Sequence, residues 1–146
     1  MRKACAISAA ALKAGGEAIE PGITTAEIDK IIYDFIVRHG ARPNFLHLYG
    51  FPATAYISVN DTVIHGIPNK QQQIRPGDIV SIDTGCKIDG FNGDNACTYA
   101  CGKIDLEAQR LLDVTKESLH RGIEMACGGN RGRGYRSRWY SPMSRR

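Results

Sequence analysis

The stretch Ile79-Val80-Ser81-Ile82-Asp83-Thr84-Gly85-Cys86-Lys87-Ile88-Asp89-Gly90-Phe91-Asn92-Gly93-Asp94 decides the fold of this chain. Ile79–Asp83 is rich in β-branched apolar residues and reads as a buried strand. Lys87-Ile88 leads into Asp89-Gly90, a dipeptide suited to a two-residue hairpin turn because both central positions need positive φ. A returning strand runs from about Phe91 to Cys101. With Asp89-Gly90 as the turn, paired positions sum to 179, and Asp83 and Asp94 fall two out of register. They become diagonal neighbours on one face, roughly 7–8 Å apart. Carboxylates so placed can share divalent cations, and a two-metal site wants its ions about 3.5–4 Å apart. These residues alone leave a second reading open, in which both aspartates are turn or surface groups. A carboxylate that follows Ile79–Ile82 into a buried strand needs a cation or several hydrogen bonds. Asp89 belongs to the turn and is given no ligand role.

Upstream, Tyr56–Val59 alternates as a strand, Asn60-Asp61 signals a turn, and Thr62–His65 is expected to form a second short strand. His65 closes that strand before Gly66-Ile67-Pro68. It can donate a proton or hydrogen bond to a substrate, or it is a strand-end histidine satisfied by backbone. Pro43–Thr54 is aromatic, turn-rich and without period, and is expected to be a loop; His47 within it can line a pocket. Thr24-Thr25-Ala26-Glu27 forms a capping box. Ile28, Ile31, Ile32, Phe35 and Ile36 follow at helical spacing to about His39, which is read as structural. Met1–Ile19 is an alanine-rich helix stopped by Pro21-Gly22, with no export signal. Leu106–Met125 is a third long helix, with His120 on its surface.

The 146 residues fit one domain, and no apolar run approaches the roughly 18 residues of a membrane span. Five cysteines without a C-x-x-C pair argue for free thiols in a reducing compartment. The net charge of +4 comes from the end of the chain. Residues 127–146 hold six of the nineteen basic residues and no acid. Residues 1–126 therefore carry thirteen basic against fifteen acidic side chains, a net of −2. The division expected is a folded region over 1–126 and a basic, disordered, non-homologous tail over 127–146. No phosphate loop, H-E-x-x-H or G-x-S-x-G motif is present.

Taken together, Glu20–Glu27, Gly50-Phe51-Pro52, Ile57–Asn60, His65–Pro68, Gly77–Asp83 and Gly93-Asp94 resemble the N-terminal half of a type I methionine aminopeptidase over about residues 1–130. The resemblance implies an α+β fold, half of a pita-bread: a curved antiparallel sheet, its hairpin carrying two aspartates, backed by helices. It implies Asp83 as a bidentate and Asp94 as a bridging metal ligand, with His65 catalytic and facing the substrate. Phe45, Leu48, Phe51 and Tyr56 would surround the methionine side chain. It also implies two divalent ions, with cobalt, manganese, iron or zinc all acceptable to such ligands. The implied activity is hydrolysis of the first peptide bond of nascent proteins that begin with methionine. This would take place in the cytoplasm, possible ribosome proximity included, with neither a membrane nor a specific nucleic acid as partner.

The same resemblance implies a histidine and two glutamates from a C-terminal half, and no Asp or Glu follows Glu124. Weak metal binding and an impaired or inactive chain are therefore expected. Two alternatives are a non-enzymatic truncated remnant and a basic-tailed RNA- or ribosome-associated protein. Asn92 stands where the family commonly has histidine, and a short N-terminal segment is expected to be missing. Arg133-Gly134-Tyr135-Arg136 can be encoded CGG GGA TAT CGG. Shifted by one base, that run reads Gly-Asp-Ile, the family's usual continuation, so residues from about 131 are expected to be a frameshift product.

Overall fold

The computed structural model describes residues 1–129. It divides into two compact units, Met1–Ile104 and a second beginning at Asp105. The first contains α1 (Arg2–Glu17), α2 (Thr25–Arg38), β1 (Arg42–Pro43), a 3-10 turn (Leu48–Gly50), β2 (Ala55–Val59), β3 (Ile79–Ile88) and β4 (Phe91–Ala100). The second holds α3 (Leu106–Glu124), started by Asp105, whose side chain accepts the Ala108 N–H at 2.7 Å. The expectation of a basic, disordered 127–146 falls, from residue 130 onward, outside the described residues.

The sheet is antiparallel and centred on β3. β4 pairs along the whole of β3, from Ile79↔Ala100 to Ile88↔Phe91. β2 pairs with Val80–Thr84, and β1 with Cys86 and Lys87, on the other side. Asp89 and Gly90 have φ of 52° and 81°, the positive pair a two-residue hairpin demands. Asp89 holds Lys3 in an exposed ion pair at 3.0 Å.

Alternation divides β3 by face. Val80, Ile82, Thr84 and Cys86 are buried, whereas Ser81 and Asp83 are only half-buried. The buried face meets the helices. α1 turns Ala4, Ser8, Ala11, Leu12, Gly15 and Gly16 inward, at helical spacing. Its residues are small because the sheet comes close: a β-carbon on Gly93 would stand 2.4 Å from the Ala4 carbonyl. α2 buries Thr25, Ile28, Ile32 and Ile36. Each isoleucine so buried is worth roughly 1.5–3 kcal/mol in transfer terms. The core joins these to Ala55, Ile57, Val59, Ile74, Val80 and Ile82.

Two local expectations need correcting. Thr62–His65 is not a strand. Val63 and Ile64 are 88% and 66% exposed, and the chain instead turns at His65 (φ 57°) so that the Gly66 carbonyl accepts the Ile57 N–H at 2.9 Å. Pro43–Thr54 is not wholly loop: Arg42–Pro43 pairs with β3 and Leu48–Gly50 closes a 3-10 turn. β3 runs unbroken from Ile79 to Ile88, with Gly85 and Cys86 keeping their partners on β4, as the pairing about the Asp89-Gly90 turn requires.

Candidate metal centre

Asp83 and Asp94 leave the sheet on the face away from α1 and α2. Asp83 lies opposite Ala96 and Tyr56, and Asp94 opposite Gly85. The two carboxyls are close enough for one to hydrogen-bond the other. Burial first, then the Asp94 charge and that hydrogen bond, hold the Asp83 carboxyl above its ordinary range; the His65 imidazole acts in the opposite direction. Asp94 is exposed and Asp83 half-buried. Asn44 lies over Gly85, its Nδ2 reaching the Gly93 carbonyl at 3.5 Å.

Tyr56 stands beside Asp83 on the neighbouring strand and gathers three rings. Phe45, Phe51 and His65 lie 4.8, 4.2 and 4.4 Å from it, centroid to centroid, all tilted. Such offset aromatic contacts add about 0.5–1.5 kcal/mol each beyond burial. His65 is held by the turn after it: the Gly66 N–H donates to Ser58 Oγ at 3.1 Å. A β-carbon on Gly66 would stand 2.1 Å from the Ile57 carbonyl oxygen, so the His-Gly order follows from backbone contact.

The structure thus brings together Asp83, Asp94, His65, Tyr56, Phe45 and Phe51. Leu48 sits in the 3-10 turn of the same loop, 44% exposed. His47 is exposed with φ 67°. His39 caps α2, stacked on Phe35 with Nδ1 2.8 Å from the Phe35 carbonyl oxygen, and His120 is exposed on α3. The supporting residues Ser58, Asn44 and Asp29 carried no signal in the sequence, because each acts on a backbone group distant along the chain.

The donors fit part of a divalent site. Two carboxylates, Asp83 desolvated and pushed up further by the charge of Asp94, offer the hard anionic oxygens that such a cation relieves. Among the described residues, no group of three or more His, Cys, Asp and Glu is placed to hold a metal ion.

The sequence model of metallopeptidase family M24 matches residues 1–141. The chain is 49% identical to a methionine aminopeptidase of Clostridium perfringens over 131 residues, covering 90% of this chain and 52% of that protein. A methionine aminopeptidase of Mycobacterium tuberculosis is 42% identical, with 90% and 49% covered. The crystal structure of methionine aminopeptidase from Thermotoga maritima superposes with a TM-score of 0.83 at 34% identity, covering 86% of this chain and 50% of that one. The chain spans about half the length of the curated relatives it matches.

Proposed function

This chain belongs to metallopeptidase family M24, and from that premise we propose that it supplies the Asp83–Asp94 face of a metal-dependent methionine aminopeptidase. The observation that carries the reading is the pair of neighbouring carboxylates beside the His65–Tyr56 ring cluster, on the sheet face opposite α1 and α2. The family uses divalent metal, and Asp83 and Asp94 would hold it here, with cobalt, manganese, iron and zinc as candidates. Divalent ions, when bound, supply Lewis acidity toward a peptide carbonyl and activation of water.

The chain's own residues do the rest. Phe45, Phe51 and Tyr56, with Leu48 at the rim, offer an apolar seat for a thioether side chain. His65, fixed by Ser58 and Gly66, stands next to Asp83 with a ring nitrogen available to the reacting peptide group. The substrates on this reading are nascent proteins and peptides beginning with methionine, met in the cytoplasm near the ribosome.

Half coverage of the relatives favours a further statement: the 146 residues alone do not turn over substrate. A base and the remaining ligands have to come from elsewhere. The test is methionine release from Met-Ala-Ser by this chain, alone and mixed with a separately expressed C-terminal half of the Clostridium perfringens relative. The expected result is no turnover alone, and metal-dependent turnover on mixing that is lost in Asp83→Asn and Asp94→Asn. A mixture that forms a complex yet stays inactive, or turnover indifferent to both substitutions, overturns the reading.

A further inference from the structure

We propose that Asp29 of α2 is a positioning residue for the ring cluster: by holding two successive amides at the start of β2, its carboxylate sets the angle at which Tyr56 meets His65. The importance of that angle rests on the function proposed above, but its geometry does not.

One oxygen, Asp29 Oδ1, accepts the Thr54 N–H at 2.9 Å and the Ala55 N–H at 2.8 Å. Both donors belong to buried residues, 1% and 0% exposed, so without Asp29 two buried amides lose this partner. Holding consecutive N–H groups on one atom fixes two peptide planes at once. The next residue is Tyr56, whose backbone is then committed to its place opposite Asp83. Phe51, three residues before Thr54, is the other end of the anchored segment, and its ring meets Tyr56 at 4.2 Å. Tyr56 in turn carries Phe45 and His65.

The charge is the second observation. Burial pushes the Asp29 carboxyl up, against the pull of the Ala55 and Thr54 amides. A charged acceptor is kept here at a desolvation cost, and bonds to a carboxylate are roughly twice as strong as neutral ones. That strength suits a hinge between a helix and a strand start better than simple core filling does.

The test uses the isotopically labelled 146-residue chain. It reads the aromatic proton–carbon resonances of His65 and Tyr56 and the exchange of the Thr54 and Ala55 amides in wild type, Asp29→Asn and Asp29→Ala. Exchange at the two amides in Asp29→Asn is expected to be on the order of tenfold faster, as a neutral acceptor is weaker. The ring resonances should move part-way toward exposed values in Asp29→Asn and further in Asp29→Ala, while β3 and β4 keep their amide dispersion. If Asp29→Ala does not fold, Asp29→Asn decides alone. Rings unmoved while both amides exchange faster, or exchange unchanged, overturn the proposal. Turnover is not read, so failure of the aminopeptidase reading leaves this result intact.

Discussion

Gly66 is the position where one added carbon does most harm. Its β-carbon would meet the Ile57 carbonyl oxygen at 2.1 Å, and a backbone atom cannot swing aside as a side chain can. Gly66→Ala is expected to cost about 3 kcal/mol, the upper end of overpacking, and to shift the His65 ring signals; a denaturant melt with aromatic NMR checks both. Asp29 gives a prediction in pH. Its folded carboxyl is raised by burial, so its contribution to stability is complete below the ordinary Asp range and is lost as pH rises through the raised value. Asp29→Asn removes that loss. The stability of the variant minus that of wild type should therefore increase with pH just above the usual Asp range, in urea melts from pH 3.5 to 6. A constant difference would contradict the assignment. At this scale the sequence was legible where turn chemistry dictated it: the Asp89-Gly90 turn put Asp83 and Asp94 on one face, and the register followed to the residue. It misled at Thr62–His65, because three apolar or β-branched residues imitate a strand whether or not a neighbour pairs with them.

At the scale of elements, α2 shows how much local chemistry specifies. Thr24 accepts the Glu27 N–H at 3.2 Å and Glu27 accepts the Thr24 N–H at 2.9 Å, the reciprocal box expected from four letters of sequence. Thr24→Ala should cost about 1 kcal/mol in a thermal or urea melt. The side-chain and backbone bonds from Thr24 hold the Glu27 carboxyl below its ordinary value. Its share of the cap is present above the ordinary Glu range and fades as pH falls through the lowered value, so the penalty of Thr24→Ala should shrink in acid. The approach of α1 to β4 makes a sharper claim. A β-carbon at Gly93 would lie 2.4 Å from the Ala4 carbonyl carbon and oxygen and 2.7 Å from the Cys5 nitrogen. Gly93→Ala should lower the melting temperature clearly, whereas Gly90→Ala, with no atom within 4 Å, should act only through its φ of 81°. Helices and the long hairpin were readable because period and caps are local. The link from α2 to β2 through Asp29 was not, since its donors lie 25 and 26 residues away.

At the scale of the molecule, the first unit gathers two carboxylates, one histidine and a ring cluster on a sheet backed by α1 and α2. The placement of the two aspartates as neighbours was legible from hairpin arithmetic, whereas the ring residues were named only through the family resemblance, and among the described residues no group of three or more His, Cys, Asp and Glu is placed to complete a metal shell. The Asp83–Asp94 pair is the claim on which the functional account depends. Calorimetric titration of the purified monomer with manganese or cobalt tests it most directly. The account predicts weak binding, since water fills the positions two carboxylates leave open, and its disappearance in Asp83→Asn and in Asp94→Asn. Tight binding of two ions by the monomer, or binding that survives both substitutions, would contradict it.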